Sequence, residues 1–94
     1  MKLTVHLSSP LILNGIQCDR VTLREPTLGD QIEIEKLALN PLARTKFMLA
    51  RLIECAPDEL QQLTLRDLDR LEKAYLRLVS DADHPDDTVL EIST

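Results

Sequence analysis

The chain has 94 residues, of which 44% are apolar, and its 16 acidic against 11 basic residues give a net charge of −5. This length fits a single domain. The acidic balance argues against a nucleic-acid partner, since such proteins usually present a basic face to the phosphates. No run of 18 apolar residues is present, so we expect no membrane-spanning helix. The residues after Met1-Lys2 alternate apolar and polar, which predicts a strand instead of a signal peptide.

The first 24 residues predict a β-hairpin. Leu3, Val5 and Leu7 alternate with polar residues, as in a strand with one buried face. Ser8-Ser9-Pro10 is expected to interrupt this strand, and Asn14-Gly15 predicts a two-residue hairpin turn.

The return strand of this hairpin changes the parity of its apolar residues. Ile16 and Cys18 are even-numbered, whereas Val21 and Leu23 are odd-numbered. Because a slip of one residue turns the side chains to the opposite face of a strand, we predict a bulge or break near Asp19-Arg20.

The ten residues from Val21 to Asp30, VTLREPTLGD, mark the change from strand to helix. Pro26 cannot donate to a strand ladder and keeps the preceding residue extended, so the strand ends before it. Thr27 is a good helix N-cap, and Asp30 completes a capping box with Asp in place of the usual Glu.

Three to four short helices, packed as a small bundle, are predicted after this junction, and the fold class is therefore α+β. The helices are expected from Leu28, from Asn40-Pro41 to about Cys55, over residues 58–63, and from Leu65 to about Ser80. Thr64 and Asp67 repeat the capping-box pattern.

Apolar residues that share one face of each helix predict its core side. They are Leu28, Ile32 and Leu39 in the first helix, Leu42, Leu49, Leu52 and Ile53 in the middle one, and Leu68, Leu71, Tyr75, Leu78 and Val79 in the last.

Residues 1–80 are expected to form the single domain, followed by an acidic tail over residues 81–94. Four of the seven residues from Asp81 to Asp87 are aspartates, so we expect this tail to be solvated and flexible. Its last residues, from Thr88 to Ile92, have the composition to add a strand.

The sequence contains no recognisable catalytic or metal-binding constellation. Cys18 and Cys55 lack the spacing of a redox or zinc motif. An EF-hand loop that began at Asp81 would need Gly and Glu at its sixth and twelfth positions, where this chain has Asp86 and Ile92. We therefore predict no enzyme activity, no cofactor and no metal.

The middle helix is apolar on more than one side. Phe47 falls among charged residues on the helical wheel, and Leu37 and Ile34 lie off the stripe of the first helix. One interpretation places the middle helix between the hairpin and another helix, so that both apolar faces are covered. The other reserves the second face for a partner, and under it we predict Phe47, Leu37, Ile34 and Arg51 as contacts.

The segment from Val21 to Asp30 resembles the LTLREPTAGD signature of tail assembly chaperones from long-tailed bacteriophages, notably contractile-tailed and transposable phages and their prophages. The resemblance covers about residues 3–80. Those proteins open with a β-hairpin, pass through this junction and continue as short helices. They end in a segment similar to residues 60–68, LQQLTLRDL, which precedes an amphipathic helix.

This resemblance implies a non-enzymatic chaperone that binds and solubilises the tape-measure protein until tail-tube subunits polymerise around it. Such proteins act in the host bacterial cytoplasm and are absent from the finished virion. In many phages a form with a C-terminal extension also recruits the tail tube protein. We expect a homo-oligomer that holds apolar client helices in a groove between its own helices.

Three alternatives stay open. A small adaptor or regulator that dimerises through its helices would use the same apolar surface. An enzyme or metal protein would rely on His6, His84 or the carboxylates of the tail. An acidic DNA mimic would need its acidic residues on one face, whereas arginines such as Arg44 and Arg51 are interspersed among the acids.

Overall fold

The hairpin is present in the computed structural model, which describes residues 2–80 and 90–92 of the chain. Strand β1 (Lys2–Leu13) pairs antiparallel with strand β2 (Ile16–Arg24). The turn residues Asn14 and Gly15 have φ angles of 52° and 79°. Positive φ at both central residues is the backbone that a two-residue type I′ turn requires, so the predicted turn is confirmed.

The hairpin ladder is interrupted at its middle, as predicted. His6 pairs with Arg20 and Leu11 with Cys18, so four residues of β1 lie opposite the single residue Asp19. The extra residues are therefore in β1, although the change of parity is visible in β2. This insertion releases backbone amides of β1 from the ladder and makes them available to other partners.

A buried aspartate of the last helix binds the released amides. The Asp67 carboxylate accepts hydrogen bonds from the backbone N–H of Ser8 at 2.8 Å and of Ser9 at 3.3 Å. Arg70 donates from one nitrogen to the His6 carbonyl and to Asp67. The irregular part of β1 is thus bound to the first turn of that helix.

Within the described residues, four helical segments follow the hairpin and confirm the α+β class. They are α1 (Leu28–Lys36), α2 (Pro41–Ile53), a 3₁₀ helix (Pro57–Gln62) and α3 (Leu65–Val79). The predicted N-caps Thr27, Asn40 and Thr64 each accept a hydrogen bond from the backbone N–H three residues on. These caps explain where the three α-helices begin.

The helices cover one face of the hairpin. Alternate strand residues such as Leu3, Val5 and Leu23 are buried under them. Helix α3 packs on β1 and α2 packs on β2, so the two helices lie over neighbouring strands. The core therefore sits between one sheet face and one layer of helices.

A third strand, β3 (Leu90–Ile92), adds to the free edge of β1. It runs parallel to β1 with Leu90 opposite Leu3, which gives the sheet order β2-β1-β3. The prediction that the last residues add a strand is confirmed for these three. The prediction of a flexible tail falls on residues 81–89 and 93–94, which lie outside the described residues.

One buried carboxylate, that of Asp30, joins the end of β2 to α1 and α2. It is only 3% exposed. Two nitrogens of the Arg24 guanidinium donate to it at 2.7 and 2.9 Å, and Arg51 Nε donates at 3.0 Å. The Thr27 backbone N–H donates at 2.9 Å and completes the capping box.

This carboxylate explains why the core face predicted for α1 is wrong. Leu28 is 75% exposed, Ile32 is exposed, and Leu39 follows the end of the helix. Asp30 and Ile34, one turn apart, are the residues that α1 buries. Because the two arginines hold Asp30 on the inner side of α1, the apolar pair Leu28 and Ile32 faces outwards.

Replacing Asp30 by Asn should lower the free energy of unfolding by about 1.5–3 kcal/mol, the range for hydrogen bonds to charged groups. The amide keeps the size of the side chain but removes the counter-charge of Arg24 and Arg51. Urea unfolding measures the change. The control Glu33→Gln removes an exposed ion pair with Lys36 and should change stability by less than about 0.5 kcal/mol. Equal stability of the two variants would contradict this role of Asp30.

The buried aspartates also predict loss of stability in acid. The Arg24 guanidinium holds the pKa of Asp30 well below its usual range, although burial opposes the shift. Burial raises the pKa of Asp67, but hydrogen bonds from Ser8, Ser9 and Thr64 outweigh it and leave that pKa lowered. As pH falls, the unfolded chain therefore takes up these protons before the folded chain does.

The contribution of the two aspartates to the free energy of unfolding should thus be constant above about pH 5. It should fall as the solution is acidified through about pH 4 and below. Asp30→Asn should show a smaller decrease between pH 7 and pH 3, because its amide does not titrate. Urea unfolding at both pH values measures the two differences. An identical pH dependence in the variant would show that Asp30 does not contribute to it.

Candidate functional site

A groove of about 330 Å³ lies between α2 and α3, with α1 contributing to its wall. We call it the α2–α3 groove. Its lining residues are Gln31 and Ile34 of α1, Arg44, Thr45, Met48 and Leu49 of α2, and Glu72, Tyr75 and Leu76 of α3. Ile34, Met48 and Leu49 are buried and form an apolar floor. An open groove with an apolar floor accepts apolar side chains from outside the chain.

The α1 and α2 walls of this groove are internally bonded. Glu35 accepts from Gln31 Nε2 at 2.8 Å and pairs with Arg44 at 3.3 Å. The Thr45 hydroxyl donates to the Pro41 carbonyl at 3.1 Å. These polar groups are therefore already satisfied before any partner binds.

The α3 wall differs from the α1 and α2 walls, because its polar groups are not bonded within the described part of the chain. It presents these groups to the groove beside an exposed apolar side chain. Leu76 is 61% exposed. Glu72 is exposed, and Tyr75 is half-buried against the core. Among the residues that the structure describes, the Glu72 carboxylate and the Tyr75 hydroxyl have no hydrogen-bond or ion-pair partner. This wall therefore carries the groups that a ligand in the groove would meet.

A second groove of about 380 Å³ lies on the other side of α2, next to the 3₁₀ helix. Its lining residues are Asn40, Leu42, Ala43, Lys46, Leu49, Leu60, Gln61, Leu63 and Leu68. Leu42 was predicted for the core stripe of the middle helix but is 69% exposed. Leu49 closes the floor of both grooves, so α2 forms a ridge between them.

The helical half carries most of the exposed apolar surface in the described part of the chain. Two large apolar side chains are exposed in the hairpin, Ile12 and Ile16. In the helical half the exposed ones are Leu28, Ile32, Leu37, Leu42, Leu65, Leu76 and Val79. Seven of the nine large apolar side chains that are exposed in the described residues therefore lie in the helical half.

The four predicted partner contacts have different surroundings. Ile34 forms part of the groove floor, and Leu37 is exposed after the end of α1. Phe47 is partly buried against the core, and Arg51 is held by Asp30. Neither groove is lined by Leu37, Phe47 or Arg51. A binding role for the four residues stays a prediction.

The helical wheels missed the residues of the α3 wall. Leu76 lies off the apolar stripe of the last helix, beside Glu72 one turn earlier. The position of Leu76 next to the charged residues Glu72, Lys73 and Arg77 was the available signal. The wheel for α2 likewise left out Met48, which is buried in the groove floor.

The surroundings of Cys55 disfavour the reactive form of its thiol. Burial, followed by the charge of Glu59, raises the pKa of the Cys55 thiol to about 11, which disfavours the thiolate. Within residues 2–80 and 90–92, no group of three or more His, Cys, Asp or Glu side chains is arranged to hold a metal ion. No helix in the same ranges is long and apolar enough to cross a membrane.

Comparison with known proteins identifies a matching family. The family model described as phage tail assembly chaperone proteins, E, or 41 or 14, matches residues 4–80. No curated protein and no solved structure matches the chain. The matched region ends at Ser80, at the end of α3.

Two leucines near the groove should differ in their effect on stability. Leu49→Ala should lower the free energy of unfolding by about 2–5 kcal/mol, because it leaves a cavity under α2. Leu76→Gln should change it by less than about 0.5 kcal/mol, since the side chain is mostly solvated and both residues favour helix. Urea unfolding measures both. A large loss for Leu76→Gln would mean that the side chain belongs to the core.

Proposed function

Because the chain belongs to the family of phage tail assembly chaperones, we propose that it binds and solubilises the tape-measure protein while the tail tube assembles around that protein. The α2–α3 groove is the observation that carries this proposal. Its floor of Ile34, Met48 and Leu49 is apolar, and Leu76 stands exposed at its rim. The groove suits the apolar stripe of an amphipathic client helix.

The binding energy would come from apolar side chains of the client that leave water. Each Leu- or Phe-sized side chain contributes about 1.5–3 kcal/mol when fully buried. A groove of about 330 Å³ admits only a few of them, so a single copy binds weakly. Many copies along one long client then raise the overall affinity through multivalency.

The proposal includes no catalytic step and no cofactor. The chaperone acts in the host bacterial cytoplasm, as a homo-oligomer, and leaves the client before the virion is complete. The tail tube protein is a second partner under this proposal. Phe47, Leu37 and Arg51 are proposed as further contacts outside the groove, and Ile34 as a contact in its floor.

A small adaptor that dimerises through its helices is the competing function. The exposed side chains of Leu28 and Ile32 on α1 would suit such a dimer. An adaptor of this kind would bury its apolar surface against a second copy. It would not keep a tape-measure protein in solution, and this difference separates the two functions.

Co-expression with a fragment of the tape-measure protein from the same phage tests the proposal. The fragment should be soluble and should elute with the chaperone in size-exclusion chromatography. Leu76→Gln should weaken the complex about tenfold, because one Leu-sized contact is lost from the groove rim. Isothermal titration calorimetry measures the affinity with a shorter tape-measure segment that is soluble by itself.

The matched control is Leu28→Gln, which removes another exposed helical leucine, 75% exposed against 61% for Leu76, that lies outside the groove. It should leave the affinity unchanged. Phe47→Asp is less suitable, since the partly buried ring contacts the core and its loss would also lower stability. An insoluble fragment with no complex would overturn the chaperone function, and equal losses in both leucine variants would exclude the groove as its site.

A further inference from the structure

We propose that the α2–α3 groove selects client helices that carry Lys or Arg beside their apolar stripe. This inference rests on the proposed function and specifies, in addition, the charge of the client segment that binds. It depends on the difference between the walls of the groove. The α1 and α2 walls are internally paired, whereas the α3 wall is not.

The positive charge in the groove is already neutralised. Arg44 pairs with Glu35 at 3.3 Å, and Gln31 also donates to that carboxylate. Arg44 of α2 is thus paired with α1, and it forms no ion pair with Glu72 in the described structure. Because Glu35 neutralises Arg44 from outside the lining, Glu72 is the charged lining residue that has no ion-pair partner in the described part of the chain.

Two polar groups of the α3 wall have no partner in the described residues, a carboxylate and a hydroxyl. The Glu72 carboxylate can only accept hydrogen bonds, and the Tyr75 hydroxyl can accept or donate. The two residues are three apart on α3, so their side chains are neighbours on the helix surface. A Lys ammonium or an Arg guanidinium supplies donors to both groups, whereas a Glu side chain would place like charges together.

The position of Leu76 explains why the cation must lie beside an apolar stripe. Leu76 is one turn after Glu72 and is 61% exposed at the same wall. The methylene stem of a Lys or Arg side chain can cover such a leucine while its charged end reaches the carboxylate. An amphipathic helix with basic flanks therefore matches both the apolar and the charged parts of this wall.

Two synthetic peptides of about 20 residues provide the test. They share one apolar stripe at i, i+3, i+4 and i+7 and differ only in Lys or Glu at the flanking positions. Fluorescence anisotropy at low salt should show tighter binding of the Lys peptide. The difference should shrink in 0.3 M salt, because exposed charge pairs are screened.

Variants of the chaperone assign this preference to one side chain. Glu72→Gln should weaken binding of the Lys peptide by about two- to fivefold, the range for an exposed ion pair. Glu72→Lys should reverse the preference in favour of the Glu peptide. Glu33→Gln removes the same charge from an exposed site outside the groove and should leave both affinities unchanged.

Equal binding of the two peptides, binding of neither, or equal effects of Glu72→Gln and Glu33→Gln would each overturn this inference. The tape-measure fragment separates such a result from failure of the function. If the fragment still forms a complex with the chaperone, the chaperone function is supported and only the selection of basic client helices is excluded. Loss of the complex itself would remove the function as well.

Discussion

The carboxylate of Asp30 is the constraint on which the arrangement of the helices depends. It is buried and accepts hydrogen bonds from Arg24 at the end of β2, from Arg51 on α2 and from the N-cap of α1. A buried carboxylate is costly unless it is fully paired, so the three elements must meet at this point. The inward side of α1 then carries Ile34 to the floor of the α2–α3 groove, and the groove follows from this polar contact.

The start of α3 has a similar arrangement at another place on the hairpin, with a buried aspartate in the first turn of the helix. Thr-Leu-x-Asp occurs at Thr27–Asp30 and again at Thr64–Asp67. In both, the aspartate is buried and the leucine after the N-cap is exposed. Asp67 binds the released amides of β1, whereas Asp30 binds arginine side chains. Helices α1 and α3 are therefore each fixed to the hairpin through their first turn. The apolar residues on their outer sides are left outside the core.

Local signals in the sequence were sufficient for the hairpin turn, the break in the ladder, the helix N-caps and the α+β class. The orientation of α1 was not accessible to the same reasoning, because it depends on Arg51, 21 residues after Asp30. A helical wheel counts apolar residues and gives no weight to a carboxylate that Arg24 and Arg51 neutralise from outside the helix. The wheel also assigned Leu42 to the core and overlooked Leu76, because each groove is lined by several elements and cannot be assembled from single helices.

A chaperone that must later release its client needs limited affinity at each contact. The volume of the α2–α3 groove, about 330 Å³, lies at the lower end of the range for ligand sites, and its rim is open to solvent. The floor residues are buried in the core of the free chain, so the groove exists before the client arrives and little ordering energy opposes binding. Under the proposed function, such a preformed and shallow groove gives fast, weak binding of each helix. Under the same proposal, affinity for a long client depends on the number of bound copies, and polymerising tube subunits would displace these copies one at a time.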